Sequence, residues 1–119
     1  MRDPRIEKLA DVLVNYSVAC KKGEKVLIEA RGIDHELVNA CVEKVFAAGG
    51  YPFVQVVDIS VERALLMGTS EVHTTLLAKY AKYRMEDMDC YIGIRGGHNT
   101  SELSDVPSEK MQAYDRNFS

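Results

Sequence analysis

The chain has no tryptophan, only three prolines and three cysteines in 119 residues, and no excess of positive charge. Each shortage excludes something. A net charge of −3 argues against nucleic acid as a partner, because a nucleic-acid footprint needs a basic face. No apolar run approaches the ~20 residues that span a bilayer, so no membrane partner is expected. The first residues, Arg2-Asp3-Pro4-Arg5, are charged and have no apolar signal core behind them. Cys20, Cys41 and Cys90 are odd in number and widely spaced; they form no CxxC pair and no disulfide framework, which fits a reducing cytoplasm. Phosphate-binding motifs are also missing. The junction Glu29-Ala30-Arg31-Gly32-Ile33-Asp34 carries one glycine where a dinucleotide fingerprint needs three, and no GxxxxGK[ST] occurs.

What is present is ordinary globular material, 46% hydrophobic and 28% charged, with a clear alternation of periods. Asp3-Pro4 opens a helix, the carboxylate capping it and proline taking the first helical position. Its expected apolar face is Ile6, Leu9, Leu13 and Tyr16, joined by Ala10. Lys25–Ala30 is a short apolar run between turn signals and reads as a buried strand. Asp34 can cap a second helix whose core face is Leu37, Val38, Cys41, Val42, Val45 and Phe46, closed by Gly49-Gly50. Tyr51–Asp58 reads as a second strand, with Pro52 at its start where no ladder donor is needed. Ser60 can cap a short helix, Val61 to Met67, stopped by Gly68. Ser70 can cap a longer one with Val72, Leu76, Tyr80 and Tyr83 on one face, and Leu77 and Ala81 beside them. Asp89–Arg95 is a third strand, Gly96–Ser104 a polar loop, and Pro107 opens a last helix with Met111, Tyr114 and Phe118 on one side. The order implies an α/β fold in three layers. A mostly parallel sheet with right-handed crossovers carries helices on both faces and is incomplete at the C-terminal end.

The residues that could carry chemistry are scattered. His35-Glu36 begins like the zinc-protease pattern HExxH, but no second histidine stands one turn on; it reads as a solvated first turn. His73 has no acidic or histidine partner four residues later and reads as a surface or boundary residue. His98 lies in the glycine-containing loop after the third strand, where a ligand contact and an ordinary loop role both stand open. In open parallel sheets, ligands bind beyond the carboxyl ends of the strands. Those ends here carry Glu29, Arg31, Asp58 and Arg95, a mixed-charge rim whose geometry depends on strand order and whose residues read first as loop anchors or interface groups. The segment Arg95–Ser101 could cradle an anion through its backbone amides, but it reads first as a turn. Cys41 and Cys90 fall on apolar elements as core residues. Tyr80 and Tyr83 with Leu76 read as helix packing. Nothing in the pattern assigns a catalytic, metal-binding or cofactor-binding residue.

An ordered set of segments also carries a family resemblance. Residues 2–17, followed by Lys22-Gly23-Glu24-Lys25-Val26-Leu27-Ile28, the turn Gly49-Gly50-Tyr51-Pro52, and the loop from Gly96 to Asp105 leading into Pro107 resemble the thermophilic-type metalloaminopeptidases, the aminopeptidase T or aminopeptidase S family. The resemblance implies proteins roughly three times this length, comparable with two or more ordinary domains. It implies an N-terminal α/β domain, spanning residues 1–119 here, and a C-terminal catalytic domain missing from this chain. That domain would bind two divalent metal ions, zinc, cobalt or similar, that lower the pKa of a bridging water. It further implies removal of N-terminal residues from peptides by the intact enzyme, and homodimers. No metal-binding motif of that catalytic domain matches this sequence, so the chain is expected to be non-catalytic by itself, helping to shape the cleft or support assembly. The alternative is a free-standing α/β module that binds a small anion or nucleotide at Gly96–Ser101.

An incomplete sheet leaves an unpaired edge, and a last helix without its partner leaves Met111, Tyr114 and Phe118 uncovered; each aromatic brings ~150–250 Å² of burial area. The chain is therefore expected to self-associate as a symmetric dimer. Sedimentation at micromolar concentration should show a species heavier than the monomer, weakened by Tyr114→Glu with Phe118→Glu. A strictly monomeric chain at high concentration would overturn this.

Overall fold

The structure is a computed structural model and describes residues 2–32 and 35–95. The expected cap Asp34, the Gly96–Ser104 loop with His98, and the helix opened by Pro107 lie outside the described residues. Contacts divide the chain into two compact units. One contains residues 2–57 and 87–95, the other residues 58–86, among those described.

The first unit begins with α1, Pro4–Asp11. Asp3 is its cap, the carboxylate accepting from the Arg5 amide at 2.9 Å. The Arg5 guanidinium beside it holds the Asp3 carboxyl below its usual range, with the amide adding to the effect. The helix then widens into a π-helical segment, Val12–Ser17, with the Val18 amide reaching back five residues to Leu13 O at 3.1 Å. This widening corrects the expected apolar face. Ala10 and Val14 are fully buried, Ile6, Leu13 and Val18 pack against them, and Leu9 and Tyr16 are exposed, Tyr16 by 74%. The face that turns inward follows a spacing of four, Ile6–Ala10–Val14–Val18, which suits more residues per turn than the α-helical 3.6.

Among the described residues, three parallel strands form one sheet: β1 (Lys25–Arg31), β2 (Tyr51–Val57) and β3 (Cys90–Arg95), in the order β2-β1-β3. The fold is α/β, with an open sheet. β1 is central and buried on both faces at Val26, Leu27, Ile28 and Ala30, as its unbroken apolar run requires. Val26, Ile28 and Ala30, with Ile92 and Ile94 of β3, pack against α1, the π segment and α2 (His35–Ala47) in one core. α2 contributes Leu37, Val38, Ala40, Cys41 and Val45. Phe46, expected in this face, is exposed; it lies in the last turn, where the helix is about to end.

That end is a complete glycine cap. Gly49 has φ +83°; its amide bonds Phe46 O at 3.0 Å and the Gly50 amide bonds Val45 O at 2.9 Å, the paired reach-back bonds of a Schellman motif. β2 follows at once, the Tyr51 amide donating to Glu24 O at 2.8 Å. This sets Tyr51, Phe53, Gln55 and Val57 to bond β1, and turns the backbone groups of Pro52, Val54 and Val56 to the free edge. Proline thus stands where its missing N–H costs no ladder bond. On the other side of β1, the Lys25 amide donates to Asp89 Oδ2 at 2.8 Å and the Asp89 amide donates to Lys25 O at 2.9 Å.

The second unit contains α3 (Ile59–Gly68) and α4 (Glu71–Glu86). Asp58, expected to close β2, instead caps α3, taking the Ser60 amide at 2.8 Å and the Ser60 hydroxyl at 2.6 Å. Ser60, the expected cap, is inside the helix. Ser70 does cap α4, its hydroxyl accepting from the His73 amide at 3.1 Å. The expected packing face of α4 is the reverse of the observed one. Val72, Tyr80 and Tyr83 are 72%, 68% and 77% exposed, and Leu76 is exposed beside them. Thr74 is fully buried, with Leu77 and Ala78 half-buried on its side. Two residues along a helix is a rotation of ~200°, so the row starting at Val72 points away from Thr74.

Gly50 tests the tightness of the first unit. A Cβ there would lie 2.8 Å from Cys20 Sγ and 3.1 Å from both Glu24 O and Val45 Cγ1, whereas Gly68, the last residue of α3, has nothing within 4 Å. Gly50→Ala is expected to lower stability by ~1–3 kcal/mol through overpacking. Gly68→Ala should raise it by ~0.4–1 kcal/mol by restricting the unfolded chain. Urea unfolding followed by circular dichroism measures both.

Candidate functional site at the carboxyl ends of the strands

With β1 between β2 and β3, the chain leaves β1 toward β2 and returns past it to β3. In open parallel sheets, ligands bind beyond the carboxyl ends of the strands. The register places Glu29 beside Gly93 and Arg31 beside Arg95. By strand alternation these four lie on the face opposite the core formed by Val26, Ile28 and Ala30. Leu27 and Tyr91 are paired on the same face, one step earlier.

Tyr91 organises this face. A Cβ at Gly93 would meet the Tyr91 ring at 3.1 Å, so the ring lies forward over the glycine. Its hydroxyl then donates to Glu29 Oε1 at 3.0 Å, the residue paired with Gly93. Burial pushes the phenol up, the Glu29 carboxylate adds to that, and nearby Arg95 pulls the other way. Three of the four expected rim residues, Glu29, Arg31 and Arg95, thus belong to one arrangement. Arg31 makes further interactions of its own. Gly32 follows with φ +90° and its amide on Val57 O at 3.2 Å, so the backbone turns off as soon as Arg31 is placed. The fourth residue, Asp58, is not part of this site. Its carboxylate is occupied by the start of α3, and the Ser60 hydroxyl and amide, with the Val61 amide, hold its pKa low. Tyr91 and Gly93 were missed from sequence; the strand pairing that makes them meaningful depends on an order the sequence does not spell out.

The remaining candidates do not converge. His35 is exposed in the first turn of α2. His73 is half-buried, its Nδ1 2.9 Å from Thr69 Oγ1. Cys41 is buried and all three cysteines are free thiols. Cys20 and Cys90 are half-buried near Glu24, and Cys90 Sγ is 3.9 Å from Glu24 Oε1. Burial pushes both thiols up, and the Glu24 carboxylate pushes them further, which disfavours the thiolate a nucleophile or metal ligand needs. Among the described residues, no three His, Cys, Asp or Glu side chains come together to hold a metal ion, and no helix is long and apolar enough to cross a membrane. The described donors are therefore not gathered as a two-metal centre would need.

The fold, an open parallel sheet of the α/β type, defines the class of domain. Its family follows from comparison: the profile of the thermophilic metalloprotease (M29) family matches residues 2–119, and the chain belongs to that family. The structure is similar to that of wild-type AmpT from Thermus thermophilus, with a TM-score of 0.74 and 19% identity, over 96% of this chain and 30% of that one. The chain thus spans under a third of the length of that relative. No curated protein matches it.

The Tyr91–Glu29 bond has a measurable consequence. Tyr91 keeps its proton in the folded state to higher pH than an ordinary tyrosine, so its contribution to stability is full below pH ~10 and is lost as pH rises beyond that value. Ultraviolet titration of phenolate should show one late tyrosine that is absent in Tyr91→Phe and shifted down in Glu29→Gln. An unchanged titration in Glu29→Gln would rule out the bond.

Proposed function

We propose that this chain is the N-terminal α/β part of a cytoplasmic aminopeptidase that removes N-terminal residues from peptides using two divalent metal ions. On this reading the part is itself non-catalytic. The metals, zinc, cobalt or similar, would be held by a C-terminal catalytic domain, which is the first partner of this chain. Here the polar face of the sheet would help wall the cleft or support assembly, and the intact enzyme would be a homodimer. The observation that carries the reading is membership of a metalloprotease family over residues 2–119, combined with coverage of only 30% of a related structure. The donor set supports it: carboxylates on the rim are engaged by Tyr91 or by a helix start, and the described histidines stand apart on α2 and α4. A soluble compartment with free thiols agrees with the three cysteines.

The test compares this chain with a longer protein that contains it. The 119-residue chain should give no turnover of leucine-p-nitroanilide with zinc, cobalt or manganese, and elemental analysis after dialysis should find no stoichiometric transition metal. The longer protein should turn the substrate over and lose activity to a chelator. Metal-dependent activity that co-purifies with the short chain, or one tightly held zinc per chain, would overturn the reading.

A further inference from the structure

Two of the three thiols stand at one joint. Cys20 lies between the π segment and β1, and Cys90 is the first residue of β3, with Val26 of β1 as its register partner. The Cys90 sulfur is 3.8 Å from Val18 O and 3.9 Å from Glu24 Oε1. The same carboxylate oxygen accepts from the amide of Lys21, the residue after Cys20, at 2.7 Å. The contacts of Cys90 therefore bracket Cys20, with Val18 on one side of it and the Glu24–Lys21 bond on the other. The Cys20 sulfur is 3.7 Å from Lys21 O and lies over Gly50. Both sulfurs pack on the margin of the same core, and both are half-buried free thiols. They are close enough that each senses the other's charge. Cys41, by contrast, is fully buried on α2. Ala19, directly before Cys20, has φ +48°, the sole positive φ of a non-glycine among the described residues. Such strain clusters at functional sites and persists only where the surroundings hold it.

We propose that Cys20 and Cys90 are a redox pair that closes to an intramolecular disulfide under hydrogen peroxide, with the Glu24 carboxylate slowing the closure. One thiolate attacks a peroxide oxygen; the O–O bond breaks, leaving a sulfenic acid and hydroxide. The second thiolate attacks the sulfenic sulfur; the S–S bond forms and the hydroxyl leaves, taking up a proton as water. The two sulfurs together lose two electrons, the peroxide gains them, and the products are one disulfide and two waters. A disulfide needs its Cα atoms ~4.4–6.8 Å apart. Cys20 belongs to no helix or strand, so its backbone can take up the remaining distance without breaking the β1–β3 ladder. Burial first, and then Glu24, push both thiols up, with Cys20 and Asp89 adding to the effect on Cys90. This keeps the thiolate scarce, and the pair stays reduced until an oxidant is present. The bond ties the end of the π segment to the first residue of β3, at the joint where the register of the sheet is set. The device is independent of the peptidase reading and needs no metal.

The experiment treats the reduced 119-residue chain with dilute hydrogen peroxide, quenches it with an alkylating reagent under denaturing conditions, and maps its peptides by mass spectrometry without reductant. The expected product is a pair of peptides joined through Cys20 and Cys90, two hydrogens lighter than its parts, with Cys41 alkylated; dithiothreitol should reverse it. The cross-linked chain should unfold at a higher urea concentration than the reduced one, because closing a long loop restricts the unfolded state. Cys20→Ser and Cys90→Ser should each abolish the cross-link and make the urea midpoint insensitive to peroxide. Circular dichroism of each variant separates loss of the partner from loss of the fold. Glu24→Gln, whose side-chain oxygen can still accept from the Lys21 amide, should speed cross-linking by ~2- to 5-fold, the gain in thiolate outrunning its lower nucleophilicity. Joining through Cys41, disulfides between chains only, over-oxidation with no cross-link, or an unchanged or slower rate in Glu24→Gln would each overturn the proposal.

Discussion

Everything in the first unit depends on β1 being hydrogen-bonded on both sides. The Glu24 carbonyl starts one ladder with Tyr51, and Lys25 starts the other with Asp89 through backbone and side chain together. These anchors fix the register of β2 and β3 at the amino ends of the strands. The side-chain period of a strand is two, so a slip of one residue would turn Val26, Ile28 and Ala30 out of the core and bring Glu29 and Arg31 in. The carboxyl end can therefore carry charge because the amino end is pinned.

The turn before β1 is built into the same anchor. The Gly23 amide donates to Gly49 O at 2.8 Å, joining two left-handed glycines at φ +85° and +83°. The end of α2 and the approach to β1 are thus tied to each other before either strand begins. Gly50 sits under this joint with no room for a side chain, against the Cys20 sulfur and the Glu24 carbonyl. Partial burial beside Glu24 pushes the Cys20 and Cys90 thiols up. At the far end of the helices, Arg2 bonds Glu43 at 2.6 Å and also pairs with Glu7. This links α1 to α2 across an exposed surface, where such pairs contribute little to stability.

Features governed by local sequence were legible. Asp3-Pro4, Ser70 and Gly49-Gly50 act through their immediate neighbours, and the run Val26-Leu27-Ile28 is apolar enough to demand burial on two faces. Features governed by partners were not. Leu9 is left outside α1, and the π segment buries Val14 and leaves Tyr16 outside, a change of residues per turn that hydrophobic pattern alone does not resolve. On α4 the pattern marked Val72, Leu76, Tyr80 and Tyr83 because they are apolar, whereas the buried side is headed by Thr74, whose hydroxyl is satisfied by Glu71 O at 3.1 Å. A threonine with an internal acceptor can be buried at little cost, and a large apolar row can be left outside. The rim was legible as a set of residues and not as a site, because Glu29, Arg31 and Arg95 acquire their meaning only from the order β2-β1-β3.

The two faces of the sheet divide the work. One face is closed by α1, the π segment and α2 and carries only apolar groups. The other carries Glu29, Arg31, Tyr91 and Arg95 in neighbouring register positions. Gly93 belongs to this second face and is costly there, since glycine inside a strand loses ~0.5–1 kcal/mol relative to alanine through its greater freedom when unfolded. Strand stability offers no compensation for that loss. The ring of Tyr91 does, because it can reach Glu29 only by lying over a residue without a Cβ. A phenol held in this way restrains the carboxylate. The glycine is thus explained by the polar arrangement it permits.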